Sequence, residues 1–315
     1  MTHLALPLTE AANRLPLTLQ VTIVRGARPG PRLFLTAGVH GDELEGMAIV
    51  RQVICRVDPE RLAGDLVCVP LVNVPGFLAR SRYLPDGSDL NRFFPGRADG
   101  KPAARLAHRL LREVVLACDC GIDFHTAARS RANLPHVRAD VGRPEVRALA
   151  RAFGSRVVVQ RRGHPRSLRR VATEAGVPTI VFEGGETGRL RRRMTETGLR
   201  GVENALVQLG MLEAQRRRPA FRVIVRRSVW IRAERGGFAE LAVAPGDLVY
   251  AGGEIGVHRD PLGPDAWPIL TPVTGLVLGV SRDPVCEPGS PLCHVVRLDR
   301  TLGTVERHLQ GPHAI

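Results

Sequence analysis

Between Arg32 and Leu209, apolar runs alternate with stretches in which apolar residues recur every three or four positions. Leu33-Phe34-Leu35-Thr36-Ala37 predicts a buried strand over 32–37 that ends at Gly38, and Leu44 to Val57 predicts the helix that follows. A second strand is expected over Asp65 to Val72. Leu106, Leu110, Leu111, Val114 and Val115 have helical spacing and predict a helix over 103–117. Gly121 to Phe124 reads as a short strand, Pro144 to Phe153 as a helix and Arg156 to Gln160 as a strand. A helix over Ser167 to Ala175 is stopped by Gly176 and Pro178. Val177 to Phe182 is then a strand, and Thr195 to Leu209 a long helix ended by Gly210.

Such alternation implies an α/β fold, a mostly parallel sheet with helices on both faces. Ligands of such sheets sit beyond the C-terminal strand ends. After Arg216-Arg217-Arg218-Pro219 the pattern changes. Phe221 to Arg232 alternates like a strand, and Gly and Pro then recur at close intervals, as at Gly236-Gly237, Pro245-Gly246, Gly252-Gly253 and Pro288-Gly289. Two units are expected: a catalytic domain over 1–219 and a smaller C-terminal β domain over 220–315.

Composition narrows the function. The 315 residues, 44% of them apolar, are enough for a globular core. No stretch reaches the roughly 18 apolar residues of a membrane span, and residues 1–20 lack the pattern of a secretion signal. A cytoplasmic location is the expectation. Six cysteines, at 55, 68, 118, 120, 286 and 293, fit neither a disulfide framework nor a zinc ribbon. The formal charge of +14 is carried almost wholly by arginine, with Lys101 the only lysine. A positive field attracts anions. The arginines are dispersed and the chain has two Trp and two Tyr, Tyr83 and Tyr250, so stacking platforms for nucleic acid are few. A small anionic substrate fits the charge equally well.

Four segments carry candidate chemistry. In Gly38-Val39-His40-Gly41-Asp42-Glu43, His40 and Glu43 are three residues apart at a strand-to-helix turn, so an imidazole and a carboxylate can reach one metal. Taken alone, an isolated histidine is more often a hydrogen-bonded core or surface residue. Asp123-Phe124-His125 puts a second histidine at a strand end, with Asp123 on the same strand face and able to orient the imidazole. Two histidines and one glutamate with an open fourth position make a common catalytic zinc set. Glu183 ends an apolar strand before Gly184-Gly185 and is the candidate general base, with Glu186 as competitor. Between Arg80 and Gly96, a polar loop offers Asn91 and Arg92 for a substrate carboxylate and Arg82 for a developing oxyanion.

Taken in order, these segments resemble the succinylglutamate desuccinylase/aspartoacylase family of the zinc carboxypeptidase-like superfamily, over about residues 30–212. The match rests on Gly38 to Glu43, Asp89-Leu90-Asn91-Arg92, Asp123-Phe124-His125 and Glu183. The resemblance implies a mixed, mostly parallel sheet with a C-terminal β domain. It also implies one Zn2+ on His40, Glu43 and His125, a general base at Glu183, substrate carboxylate binding by Asn91 and Arg92, and oxyanion stabilisation by Arg82. The expected reaction is hydrolysis of the amide of a small N-acyl amino acid. The alternatives are a metallocarboxypeptidase acting on peptides or cell-wall fragments, and a basic nucleic-acid-binding protein with a non-catalytic metal site. A homo-oligomer is compatible with the sequence.

Overall fold

The computed structural model describes residues 1–10, 14 and 16–309. Two strands that the hydrophobic pattern does not announce come first, β1 (Thr2–Glu10) and the antiparallel β2 (Pro16–Arg25). The expected alternation follows, with a helix over Val74–Leu78 and a strand over Arg131–Ala139 added, which the hydrophobic pattern does not announce. It comprises β3 (Arg28–Ala37), α1 (Leu44–Arg56), β4 (Ala63–Val69), α2 (Val74–Leu78) and α3 (Pro102–Arg109). Next are β5 (Cys120–His125), β6 (Arg131–Ala139), α4 (Pro144–Phe153) and β7 (Val157–Gln160). The set closes with α5 (Leu168–Glu174), β8 (Thr179–Glu186) and α6 (Arg192–Gln208).

The central strands run β4-β3-β5-β8, all parallel, and β6 joins β8 antiparallel. On one face, Ile49 and Val53 of α1, Leu149 of α4 and Ala205 of α6 pack against Leu35, Ile122, Phe124 and Phe182. On the other, Phe34 and Val67 meet Leu106 of α3 and Leu168 and Ala172 of α5. Each buried side chain of this size contributes roughly 1.5–3 kcal/mol, so both faces of the sheet are held by their helices.

The helix expected over 103–117 does not run through. After α3 the backbone widens into a π-type turn over Leu110–Val114 and tightens into a 3₁₀ turn over Val115–Ala117. Leu110, Leu111, Val114 and Val115 stay buried through this change of pitch. The strand expected to stop at Phe182 continues to Glu186, because Ala132 and Asn133 of β6 pair with Glu186 and Gly185.

The C-terminal β-rich region begins with β9 (Val223–Val225), β10 (Ser228–Arg232), β11 (Gly237–Leu241) and β12 (Leu248–Val249). It continues with β13 (Glu254–Arg259), β14 (Ala266–Leu270), β15 (Gly275–Ser281), β16 (Val285–Cys286) and β17 (Pro291–Arg297), and ends with α7 (Leu302–Leu309). Among the described residues, β11, β13, β14 and β16 form a separate four-stranded antiparallel sheet. The other strands extend the main sheet. β9 lies parallel to β7, and β15 pairs with β6, followed by β17 and β10. Residues 310–315 of the expected second unit lie outside the described residues.

The turn from β3 into α1 is held by close backbone approach. Gly38 has φ +62°, a conformation that glycine adopts at little cost. A Cβ on Gly41 would lie 2.1 Å from the backbone carbon of Gly76 in α2. Gly41→Ala therefore has no flexible neighbour to push aside and is expected to cost about 1–3 kcal/mol. The effect is read as a lower urea midpoint at constant m-value, and an unchanged midpoint would show that α2 moves away freely.

Candidate functional site

His40 and Glu43 flank this turn, and the Glu43 amide donates to the His40 carbonyl at 3.2 Å. His125 is the last residue of β5, which pairs in parallel with β3. The tight turn and the strand pairing bring three donor groups together in a buried spot. His40 Nδ1 lies 2.7 Å from Glu43 Oε1, His125 Nδ1 lies 3.0 Å from Glu43 Oε2, and the two Nδ1 atoms are 3.1 Å apart. At bond lengths of 2.0–2.1 Å, ligand atoms of a tetrahedral metal sit about 3.3 Å from one another. These three residues are the group that is able to hold a metal ion among the described residues.

The far nitrogens of the two imidazoles support that reading. His125 Nε2 donates to Asp123 Oδ2 at 2.7 Å, and His40 Nε2 to Asp89 Oδ1 at 3.2 Å. With a proton on each Nε2, the Nδ1 lone pairs of both rings are free to converge. Asp123 is itself fixed by the Thr36 hydroxyl at 2.8 Å. Arg82 spans Glu43 Oε1 and Asp89 Oδ2, each at 3.1 Å. The cluster sets the carboxylates Glu43, Asp89 and Asp123 around two imidazoles and the single guanidinium of Arg82, and a divalent cation in place of protons between the rings and Glu43 would balance the charge. The same electrostatics shifts the protons. Burial alone would raise the Glu43 carboxyl, but His40 and His125 outweigh it and hold it well below the usual carboxylate range. Burial alone would depress His125, but Asp123 and Glu43 outweigh it and raise it well above the ordinary value.

Glu183 stands directly opposite His125 in the parallel pairing of β5 and β8. Asn133 Nδ2 donates to its Oε2 at 3.1 Å, and Arg138 Nε lies 3.3 Å from its Oε1. Burial pushes its pKa up, but Arg138, His136 and His125 outweigh that and leave it below the ordinary glutamate value. Glu186, the competitor, is tied instead to Arg191 and Arg189 at 2.8 and 3.2 Å. A cavity of about 530 Å³ lies between α6, the turn after α4 and the C-terminal strands. Asn133 and Glu186 are part of its lining, but His40, Glu43 and His125 are not. The site is located by its chemistry.

A family model for the succinylglutamate desuccinylase/aspartoacylase catalytic domain matches residues 29–209, which include all of these groups. The chain belongs to the succinylglutamate desuccinylase/aspartoacylase family. The N-alpha-acetyl-L-2,4-diaminobutyric acid deacetylase of Halomonas elongata is 31% identical over 249 residues, covering 74% of this chain and 72% of that one. A succinylglutamate desuccinylase of Burkholderia orbicola is 36% identical over 141 residues, 39% of each chain. The crystal structure of a succinylglutamate desuccinylase/aspartoacylase from Rhodobacter sphaeroides superposes with TM-score 0.84 at 26% identity, covering 93% of this chain and 94% of that one. The product-bound ectoine utilization protein of Ruegeria pomeroyi shares the fold, with TM-score 0.85 at 24% identity over 94% of this chain and 95% of that one.

The remaining sequence-predicted residues, Asn91 and Arg92, lie in a 3₁₀ turn between α2 and α3. Asn91 Oδ1 accepts from the Leu168 amide at the start of α5 (2.9 Å), which leaves its Nδ2 free to donate. Arg92 is half-exposed. Its Nη1 donates to the Asn91 carbonyl at 2.9 Å and lies 4.0 Å from Asp89. Sequence reasoning assigned no role to Asp89, Asn133 or Arg138. Asp89 belongs to the Asp-Leu-Asn-Arg motif that carried the resemblance, but nothing in the sequence marks the other two. Asp123→Asn is expected to weaken divalent-metal affinity about 10–100-fold. Competition with a chromophoric chelator measures it, and unchanged affinity would detach Asp123 from the metal site.

Proposed function

We propose that this family member is a zinc-dependent amidohydrolase with one ion per chain. It cleaves the amide of a small anionic N-acyl amino acid in the cytoplasm. One observation carries the reading: two Nδ1 atoms and the Glu43 carboxylate converge while each imidazole's other nitrogen is tied to a carboxylate. The reactions named for the Halomonas and Burkholderia relatives, a deacetylation and a desuccinylation, support the amide and the amino-acid portion. His40, Glu43 and His125 would hold the zinc ion, which when bound would supply Lewis acidity and a water whose pKa is lowered to roughly 7.

The chain's own residues do the rest. Glu183, an anion at neutral pH, takes a proton from the attacking water and gives it to the leaving nitrogen. Asn133 and Arg138 hold both of its oxygens, so the carboxylate stays aimed through the transfer. Arg82 has N–H groups beyond those given to Glu43 and Asp89, and these are donors for the charge that develops on the carbonyl oxygen. The Asn91 Nδ2 and the Arg92 guanidinium bind the substrate carboxylate.

The test is a screen of N-acetyl and N-succinyl amino acids with zinc-loaded protein beside Glu183→Gln. The variant is expected to lose about 10²–10⁴-fold in kcat with zinc content intact. Turnover at the native rate would remove Glu183 from the chemistry. Release of a C-terminal amino acid from peptides, with no acetate or succinate from any N-acyl amino acid, would make the protein a metallocarboxypeptidase instead.

A further inference from the structure

The face of the sheet that carries Glu183 continues past it. Asn133 of β6, whose amide holds Glu183, stands opposite Gly279 of β15. Gly279 stands opposite His294 of β17, and His294 opposite Trp230 of β10. Directly opposed residues share a face, so one row runs from the Glu183 partner into the C-terminal strands. Gly279 leaves a notch in that row, where a Cβ would lie 2.5 Å from Asn133 Oδ1.

Arg131 is two residues before Asn133 on β6 and so on the same face. Its guanidinium carbon lies 4.9 Å from the centre of the Trp230 ring. That ring stacks on the His294 imidazole with centroids 4.6 Å apart and planes at 7°. Arg131 is half-buried, and among the described residues no carboxylate pairs with it. Burial and the charges of Arg232 and Arg82 all work against its positive charge. By contrast, Arg82 and Arg138 each have a carboxylate partner. A guanidinium that is partly desolvated, held by an aromatic ring and surrounded by like charge is arranged to receive an anion.

We propose that Arg131 is a specificity-determining residue that takes an anionic group of the substrate additional to the carboxylate assigned to Asn91 and Arg92, with Trp230 and His294 as positioning residues. The inference rests on the deacylase reading above and narrows its substrate class. Favoured substrates are N-acyl amino acids with a second carboxylate, in the acyl group or in the side chain. A free ammonium at that place, as in N-acetyl-2,4-diaminobutyrate, would meet Arg131 and be disfavoured.

Two ratios of kcat/KM test this, N-acetyl-L-glutamate over N-acetyl-L-glutamine and N-succinyl-L-alanine over N-acetyl-L-alanine. In Arg131→Gln at least one ratio is expected to fall about 10–100-fold, as for a lost charge-assisted pair. Arg131→Lys should lose less. Trp230→Leu should lower the same ratio and Trp230→Phe restore most of it. Neither ratio moving in Arg131→Gln overturns the proposal.

A second readout needs no turnover. Trp267→Phe leaves Trp230 as the only tryptophan, and its emission is titrated with succinate and with acetate on the zinc-loaded protein. A saturable response to succinate that is lost with Arg131→Gln supports the site, and a response that survives the substitution removes it. If no N-acyl amino acid is hydrolysed while the Arg131-dependent response remains, the deacylase reading falls and the anion site stands. If hydrolysis occurs with both ratios insensitive to Arg131, the anion site falls and the reaction stands.

Discussion

Glu43 is a fully buried carboxylate that touches two imidazoles and a guanidinium, and much of the surrounding structure serves to keep it there. A buried charge without partners costs several kcal/mol, so this one constrains every element that reaches it. The β3–α1 turn places it beside His40, the parallel pairing of β3 and β5 brings His125, and the loop after α2 supplies Arg82. Asp123 and Asp89 then hold the imidazoles from behind. The contacts of Asp123 and His125 on β5 do not tolerate a one-residue slip in strand register, because a slip turns each side chain to the other face.

β6 is the joint between this site and the C-terminal region. It pairs with β8 on one side and β15 on the other, and it carries Arg131, Asn133, His136 and Arg138. Of the C-terminal strands, β9, β10, β12, β15 and β17 therefore belong to the same sheet as Glu183, while β11, β13, β14 and β16 form their own. The pairing of β6, β15, β17 and β10 explains how Trp230 and His294, far along the chain, share a face with Asn133, the partner of Glu183.

The large positive charge has two physical meanings in one molecule. Arg28, Arg97 and Arg192 pair with Glu213, Asp99 and Glu196 in exposed positions. Water and salt screen such pairs, and each contributes little. Arg82 and Arg138 meet Glu43 and Glu183 in partly desolvated surroundings, and there the charge of Arg138 helps to keep Glu183 ionised. Net charge counts both kinds alike, and only their surroundings separate them.

The sequence by itself determined what short-range geometry controls. His40 and Glu43 are three residues apart at a strand-to-helix turn, and His125 and Asp123 alternate on one strand. Chain geometry forces each pair onto a common side, so both were legible before any contact was known. The helix–strand alternation from 32 to 208 was legible for the same reason. Only the tertiary structure decided that Glu183 faces His125, that Asn133 and Arg138 hold it, and that Asp89 rather than solvent caps His40. It also decided that the helix expected through 117 changes pitch and that β1, β2 and β6 exist. These outcomes depend on register and burial between segments tens of residues apart, and local periodicity carries no information about which distant segment lies alongside.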